Sequence, residues 1–394
     1  MKPLAIILCL LGVSAAAGCD DGHASPSGPD ADTDTDSDTD SDSDTDTDTD
    51  SDTDTGPSCD GALEFADPDL EFGVRAAIDK PEGDIFAADV ADLIGLSLPE
   101  SDISNLSGIE CLTSLAELHL FSNQISDLEP LAQLSDLVEL NIFDNPISDF
   151  APLASLTFLE RLYFGGTAIT EIGFLEGLTS MRVLHVSYTE VTDLGPLGNL
   201  TALEEVSLGN NQISDVGVLS QLTELTTVVL HTNQVTDIAP LAELTNLLGI
   251  DLSDNPIADY APLADLVQLE SLSIGGSGEI GDIGFLSDLS ALQYLELADA
   301  AVVDIGPLAG KTALTQLHLE HNQIHDIDVL AELTELALVR LWDNQIEDLS
   351  PLIDNPGLGE GDSLDLQDNP IDCEEQASNI EALEARGIDL QIDC

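Results

Sequence analysis

An eleven-residue pattern returns along this chain at a nearly fixed interval, and it limits the folds available more than any other feature. Leu115-x-x-Leu118-x-Leu120-x-x-Asn123-x-Ile125 reappears as Leu137-x-x-Leu140-x-Ile142-x-x-Asn145-x-Ile147. Anchored on the Asn, the series is Ser101, Asn123, Asn145, Thr167, Thr189, Asn211, Asn233, Asn255, Ser277, Ala300, Asn322, Asn344 and Asn369. The first eight steps are all 22 residues and the last four are 23, 22, 22 and 25. One such unit carries an apolar residue at about every third position and cannot shield them alone. Stacked units bury them in one continuous core, so the chain should be a repetitive curved body.

The copies at 115–134, 225–244 and 247–266 continue with x-Asp-(Leu/Ile)-x-Pro-Leu-Ala-x-Leu, with Tyr260 in place of the Leu/Ile in the last. In this they resemble the 22-residue bacterial leucine-rich repeat of the internalin type, over about residues 93–372. The resemblance implies an α/β leucine-rich repeat solenoid of about 13 turns. Each turn would place one short parallel strand on the concave face and a 3₁₀-like or irregular segment on the convex side, with helical caps at both ends. It also suggests adhesion or recognition, although a shared scaffold does not fix function.

Two columns follow from the repeat. The anchor side chain can satisfy backbone groups where the chain leaves the strand. Thr and Ser can do this in part and Ala300 cannot, so an irregularity is expected there, beside the one-residue insertion near Gly278-Glu279-Ile280. Past the anchor runs an acidic column: Asp127, Asp149, Glu171, Asp193, Asp215, Asp237, Asp259, Asp282, Asp304, Asp326 and Asp348. It could hold a row of cations. The reading preferred here is that each carboxylate caps the convex turn that follows.

A solenoid exposes raw core at its ends, and both flanks read as caps. Asp67-Pro68 starts a helix to about Ile78, a second spans about Phe86 to Leu93, and Glu374 to Arg386 forms a third, stopped by Gly387. The boundaries expected are 59–92 for the first cap, 93–372 for the repeats and 373–394 for the last cap. Four cysteines allow three pairings. Some eleven turns at ~4.8 Å each separate the two ends, while a disulfide needs Cα atoms within ~7 Å. Cys59–Cys111 and Cys373–Cys394 are therefore the expected bridges.

Residues 1–18 read as a secretory signal, with Lys2, an apolar run from Leu4 to Val13, and small residues before Cys19. Ser14-Ala15-Ala16-Ala17-Gly18-Cys19 resembles a bacterial lipobox, which implies lipidation at Cys19. An ordinary signal peptide is the alternative. Residues 19–58 read as a stalk, with Asp at every even position from Asp30 to Asp54, alternating chiefly with Thr or Ser. Thirteen like charges on a chain with no apolar face should keep it extended and solvated. Glycans or loosely held Ca²⁺ on the stalk are lesser possibilities. The expected location is the bacterial cell envelope, at the outer membrane or cell surface rather than the inner membrane, with the lipid as sole membrane attachment.

The formal charge of the chain is −69, and residues 56–394 alone hold 62 acidic and 7 basic side chains. Such a surface repels phosphate backbones, which excludes a nucleic-acid partner. Relative to each anchor, the residues four and two before it point out of the strand, flanked by those six and one before. Along the arc these positions gather His119, Phe121, Phe143, Arg161, Tyr163, His185, Tyr188, His231, Tyr294, His318, His321, Arg340 and Trp342. The group includes the only Trp and five of the seven His. Aromatic and Arg side chains anchor interfaces, so this face is expected to bind a partner, most plausibly a protein. Strand preference for aromatics is the plainer explanation. Small residues (Gly165, Gly166, Gly209, Ser253, Gly275, Gly276) interrupt the middle, which would leave two richer ends. His318 and His321 lie near Glu296 and Glu320, but the spacing matches no tight metal motif. No nucleophile elbow or phosphate loop occurs, so neither enzymatic activity nor a cofactor is expected. A monomer is expected, with a glycan partner or an envelope scaffolding role as the alternatives.

Overall fold

The computed structural model describes residues 59–276 and 280–394. Its fourteen strands lie side by side in chain order in one parallel, unclosed, curved sheet. The first, β1, is Gly95–Ser97, and a new strand follows about every 22 residues. The register is fixed by the repeat: Leu96 pairs with Leu118, Leu118 with Leu140, and Leu140 with Leu162. This central column points inward and is fully buried from Leu118 to Leu364. The residues on either side face the concave surface, because successive side chains alternate across a strand. A short 3₁₀ segment, such as Glu129–Gln133 or Ala239–Glu243, carries the chain across the convex side in most turns. One apolar core runs from Leu63 to Ile388.

The anchor asparagines work between turns as well as within them. Asn123 Nδ2 donates to the Leu120 carbonyl of its own turn and to the Leu98 carbonyl of the turn before, both at 2.9 Å. Its Oδ1 accepts the Ile103 amide at 3.0 Å. The same pattern recurs at Asn145, Asn233, Asn255, Asn322, Asn344 and Asn369. Each side chain thus supplies the bonds that the backbone loses where it bends away from the ladder. Where the anchors are Thr167 and Thr189, the strands β4 (Arg161–Gly165) and β5 (Val183–Ser187) run to five residues rather than three. The residue before the anchor is left-handed in turn after turn, including Ser122, Asp144, Asn210 and Asp254. Asn, Asp and Gly tolerate this conformation, whereas Tyr188 and Thr232 hold it under strain.

At Ala300 the ladder continues unbroken. Strand β9 (Ser271–Ser273) pairs in register with β10 (Tyr294–Glu296). Asn322 of the following turn takes the Leu297 carbonyl and the Ala300 amide. Ser277 and the insertion at Gly278-Glu279 lie outside the described residues. The acidic column caps at its aspartates, and Glu171 makes no such bond. Oδ1 of Asp127, Asp149, Asp193, Asp215, Asp237, Asp259, Asp282, Asp304, Asp326 and Asp348 accepts the amide two residues on, at 2.7–2.9 Å. For Asp348 this bond holds the carboxyl below its ordinary range.

One position breaks the leucine columns. Leu244, Leu266, Leu289 and Leu333 occupy equivalent buried sites at the end of successive convex turns, and Lys311 stands where the series calls for another Leu. Its side chain is fully covered. Nζ donates to the Ser287 carbonyl at 3.3 Å. Desolvation pulls the ammonium below its usual range, partly opposed by Asp288. The convex segment there is cut to Gly306–Leu308.

The caps differ in detail from the sequence reading. Helix α1 is Pro68–Ala77, with Asp67 accepting the Asp69 and Leu70 amides. Asp67 also accepts the Ser104 and Asn105 amides, which ties the cap to the first turn. Helix α2 is only Ala87–Val90, shorter than expected. The last helix is Ala377–Ala385 and begins three residues later than expected, because Asp372 first closes a turn by accepting the Glu374 and Glu375 amides. Beyond it the chain adds β14, Asp389–Gln391, to the sheet edge, a strand that the repeat count did not anticipate. The bridges are Cys59–Cys111 and Cys373–Cys394, with Cα atoms 5.6 and 5.7 Å apart.

Candidate functional site

The concave face divides into a crowded first third, a largely hydrogen-bonded middle and an open cleft near the last turns. In the first third, Glu139 lies between His119 and Arg161: Oε1 is 3.0 Å from His119 Nε2 and Oε2 accepts Arg161 Nε at 2.5 Å. Phe121 is half-buried. Phe143 meets the exposed Tyr188 edge to face, with ring centroids 6.5 Å apart. Tyr163 meets His185 in the same way at 4.8 Å. Burial and the nearby Glu139 push the Tyr163 hydroxyl up to about 12. Burial lowers His185 to about 4, and its Nε2 has no hydrogen-bond partner.

The middle is a chain of hydrogen bonds. Asp251 accepts from the amide and hydroxyl of Ser253, and the Ser253 and Ser273 hydroxyls lie 3.2 Å apart. Ser273 Oγ donates to Glu296 at 2.8 Å, and the Tyr294 hydroxyl donates to the same oxygen at 2.9 Å. Burial holds the Asp251 carboxyl above the ordinary range. His231 settles against Gly209, where an added Cβ would collide with its ring.

Here two expectations need correction. The sequence predicts Tyr294 and His318 to be outward-facing contact residues. They do lie in the concave layer, on β10 and on β11 (Gln316–His318), but they are 1% and 4% exposed. Their rings meet edge to face at 5.2 Å and cover each other, and the Tyr294 hydroxyl is occupied by Glu296. Burial lowers His318 to about 4. Folding therefore favours the neutral ring, and this residue and His185 each withdraw stability as pH falls from about 6.5 towards 4. No group of three or more His, Cys, Asp or Glu arranged to hold a metal ion occurs among the described residues.

Towards the last turns the face opens. Strands β12 (Leu338–Arg340) and β13 (Ser363–Asp365), with β14, floor a cleft of about 320 Å³ that also takes in Glu320, Trp342 and Gln391. Trp342 is braced edge to face by His321 at 3.9 Å, and His321 Nδ1 lies 2.6 Å from Asp343 Oδ2. Arg340 is exposed and only 3.9 Å from Glu320. The sequence reading missed Glu139, Asp365 and Gln391, and weighed Glu320 only for a metal. Glu139, Glu320 and Asp365 sit in the same columns as the aromatics, and counting every polar side chain there would have found them, whereas Gln391 lies on β14, which no repeat announces.

Comparisons with known proteins agree with this architecture. Models described as leucine-rich repeats match residues 113–155 and 201–243, and a further one matches 311–331. The chain is similar to an internalin (InlF) of Listeria monocytogenes, at 34% identity over 77% of this chain and 96% of that one, with a TM-score of 0.67. It is also similar to internalin C2 of the same organism, at 36% identity over 52% of this chain and 92% of that one (TM-score 0.51). A leucine-rich repeat protein of Leptospira interrogans shares the fold at 22% identity, over 76% of this chain and 83% of that one (TM-score 0.68). A search among curated proteins finds no match.

Proposed function

From the premise that the chain belongs to the internalin-like leucine-rich repeat family, we propose that it recognises a protein partner non-covalently through its concave face. The observation that carries this reading is the distribution of unsatisfied and exposed side chains. Most polar groups in the middle of the face are bonded to one another, with Ser271 Oγ buried and unpaired, whereas Phe121, Phe143, Arg161 and Tyr188 near one end and Arg340 and Trp342 near the other stay accessible. Aromatic and Arg side chains at the centres of contact patches carry most of the energy of typical interfaces. A partner touching both ends would gain from each without disturbing the middle. A glycan is less favoured, because Tyr163, which could stack on a sugar, is engaged edge to face by His185. The expected result is that Phe121→Ala combined with Trp342→Ala lowers capture of the partner in a pull-down from surface extracts at least 10-fold, with unchanged circular dichroism. Undiminished capture would refute the concave reading, and loss of capture after glycosidase treatment of the target would favour the glycan.

The partner is met outside the cell, with the chain displayed at the envelope. Both bridged cysteine pairs, Cys59–Cys111 and Cys373–Cys394, suit an oxidising compartment. Cys19, the signal at 1–18 and the stalk at 19–58 lie outside the described residues, and lipid attachment at Cys19 rests on the sequence. Metabolic labelling with a radioactive fatty acid should mark the chain and should fail in Cys19→Ser. Equal labelling of both would refute the anchor.

A further inference from the structure

We propose that the cleft beside Trp342 is a subsite for the guanidinium of an arginine side chain presented by the partner. This rests on the concave reading above and makes it specific.

Glu320 Oε2 is buried and makes no hydrogen bond. Its side chain is 12% exposed, and Oε1 is 3.9 Å from Arg340 Nη1, beyond hydrogen-bond length. A buried acceptor without a donor is costly, and burial accordingly raises the affinity of this carboxyl for a proton. What would relieve it is a donor, and best a charged one. Arg340 does so poorly, since its side chain is 47% exposed.

The rest of the cleft selects which donor. Asp365 uses Oδ1 to accept the Gln367 amide at 3.2 Å, which leaves it a second oxygen. Trp342 borders the same cleft, and an indole face attracts a cation. Two carboxylates and an indole around about 320 Å³ suit a planar, forked, permanently charged group. An ammonium would meet the charges without the stack or the fork. A phosphate or carboxylate ligand would face Glu320 and Asp365 with only Arg340 to oppose them. The field of the acidic body draws basic segments towards this face.

The chain carries its own reporter, because Trp342 is its only tryptophan. The probe is N-acetyl-arginine amide, titrated into the full chain at 150 mM salt while Trp342 fluorescence is followed. The neutral isostere N-acetyl-citrulline amide and methyl glucoside are run alongside. Saturable change with the arginine probe is expected, with at least 10-fold weaker response to citrulline. Glu320→Gln should weaken the arginine response about 10-fold while leaving the melting temperature unchanged or higher. The convex-side variant Glu176→Gln should respond like the parent. Equal responses to arginine and citrulline, an unaltered response in Glu320→Gln, or saturation by methyl glucoside instead would each overturn the assignment. If the arginine probe fails while the Phe121/Trp342 variant still loses its partner, only the subsite falls. If the probe succeeds and that variant keeps its partner, the concave reading falls and the subsite stands.

Discussion

Replacing Asn255 with Ala should lower stability by about 2–4 kcal/mol, a large loss for one side chain. Asn255 is fully buried. Its Nδ2 donates to the carbonyls of Leu230 (2.8 Å), Leu252 (3.1 Å) and Ser253 (3.1 Å), and its Oδ1 accepts the Val235 amide at 3.0 Å. The Leu230 and Ser253 carbonyls each keep a second donor, Asn233 Nδ2 at 2.9 Å and the Thr232 amide. Among the described residues the alanine variant therefore strands two buried backbone groups, the Leu252 carbonyl and the Val235 amide. Each costs ~1–3 kcal/mol when left unpaired, and partial relaxation brings the total to the range given. The Val235 amide belongs to the preceding turn, so the damage reaches the junction between turns, where a solenoid keeps its cooperativity. Urea denaturation measures the loss, and hydrogen exchange should place the new opening around Val235 and Leu252. Asn255→Thr should cost less, since Thr167 and Thr189 occupy the equivalent site in native turns. A loss below about 1 kcal/mol in the alanine variant would refute the inter-turn role.

Lys311→Leu should act in the opposite direction and raise stability by about 1–3 kcal/mol at pH 7. Leucine restores the residue that the column carries before and after, and removes a buried ammonium held by one 3.3 Å bond to Ser287. The pH dependence identifies the cause. Burial lowers the lysine's proton affinity in the folded state, so between that lowered value and the ordinary value near 10.4 the unfolded chain binds more protons than the folded one. The stability of the parent rises with pH across that window. The penalty of the buried charge is full below the window and gone above it. The advantage of the leucine variant should therefore shrink as pH is raised from 7 to 11. Parallel urea titrations at pH 7, 9 and 10.5 read this directly. A destabilised variant, or an advantage that does not change with pH, would show that Lys311 is held by something other than a charge without adequate partners.

The two cases differ in how far the sequence reveals them. The anchor column is visible as a 22-residue beat, and its need for Asn follows from the bend at the end of each strand. That the amide reaches back to the turn before could not be read from one repeat, because it depends on how closely the turns stack. Lys311 is visible as a break in a leucine column, but the column itself emerges only once the turns are superposed. The cysteine pairing needed only the distance between the ends of the stack. The fourteenth strand, by contrast, belongs to the cap and follows no repeat. Asp389–Gln391 joins the sheet because β13 leaves an unpaired edge beside it.

What the residues determined unaided is a beat and its consequences: the parallel stack, the inward leucines, the capping acids and the face on which aromatics gather. Those follow from periodicity, since identical spacing puts equivalent atoms in equivalent places. The tertiary structure alone decided which members of that face remain open. Side chains in adjacent turns stand only ~4.8 Å apart, so accessibility depends on the neighbour's size and hydrogen bonds. Tyr294 and His318 close over each other, Glu296 and Ser273 satisfy each other, and Glu320 beside Trp342 is left with an oxygen that nothing in the chain bonds.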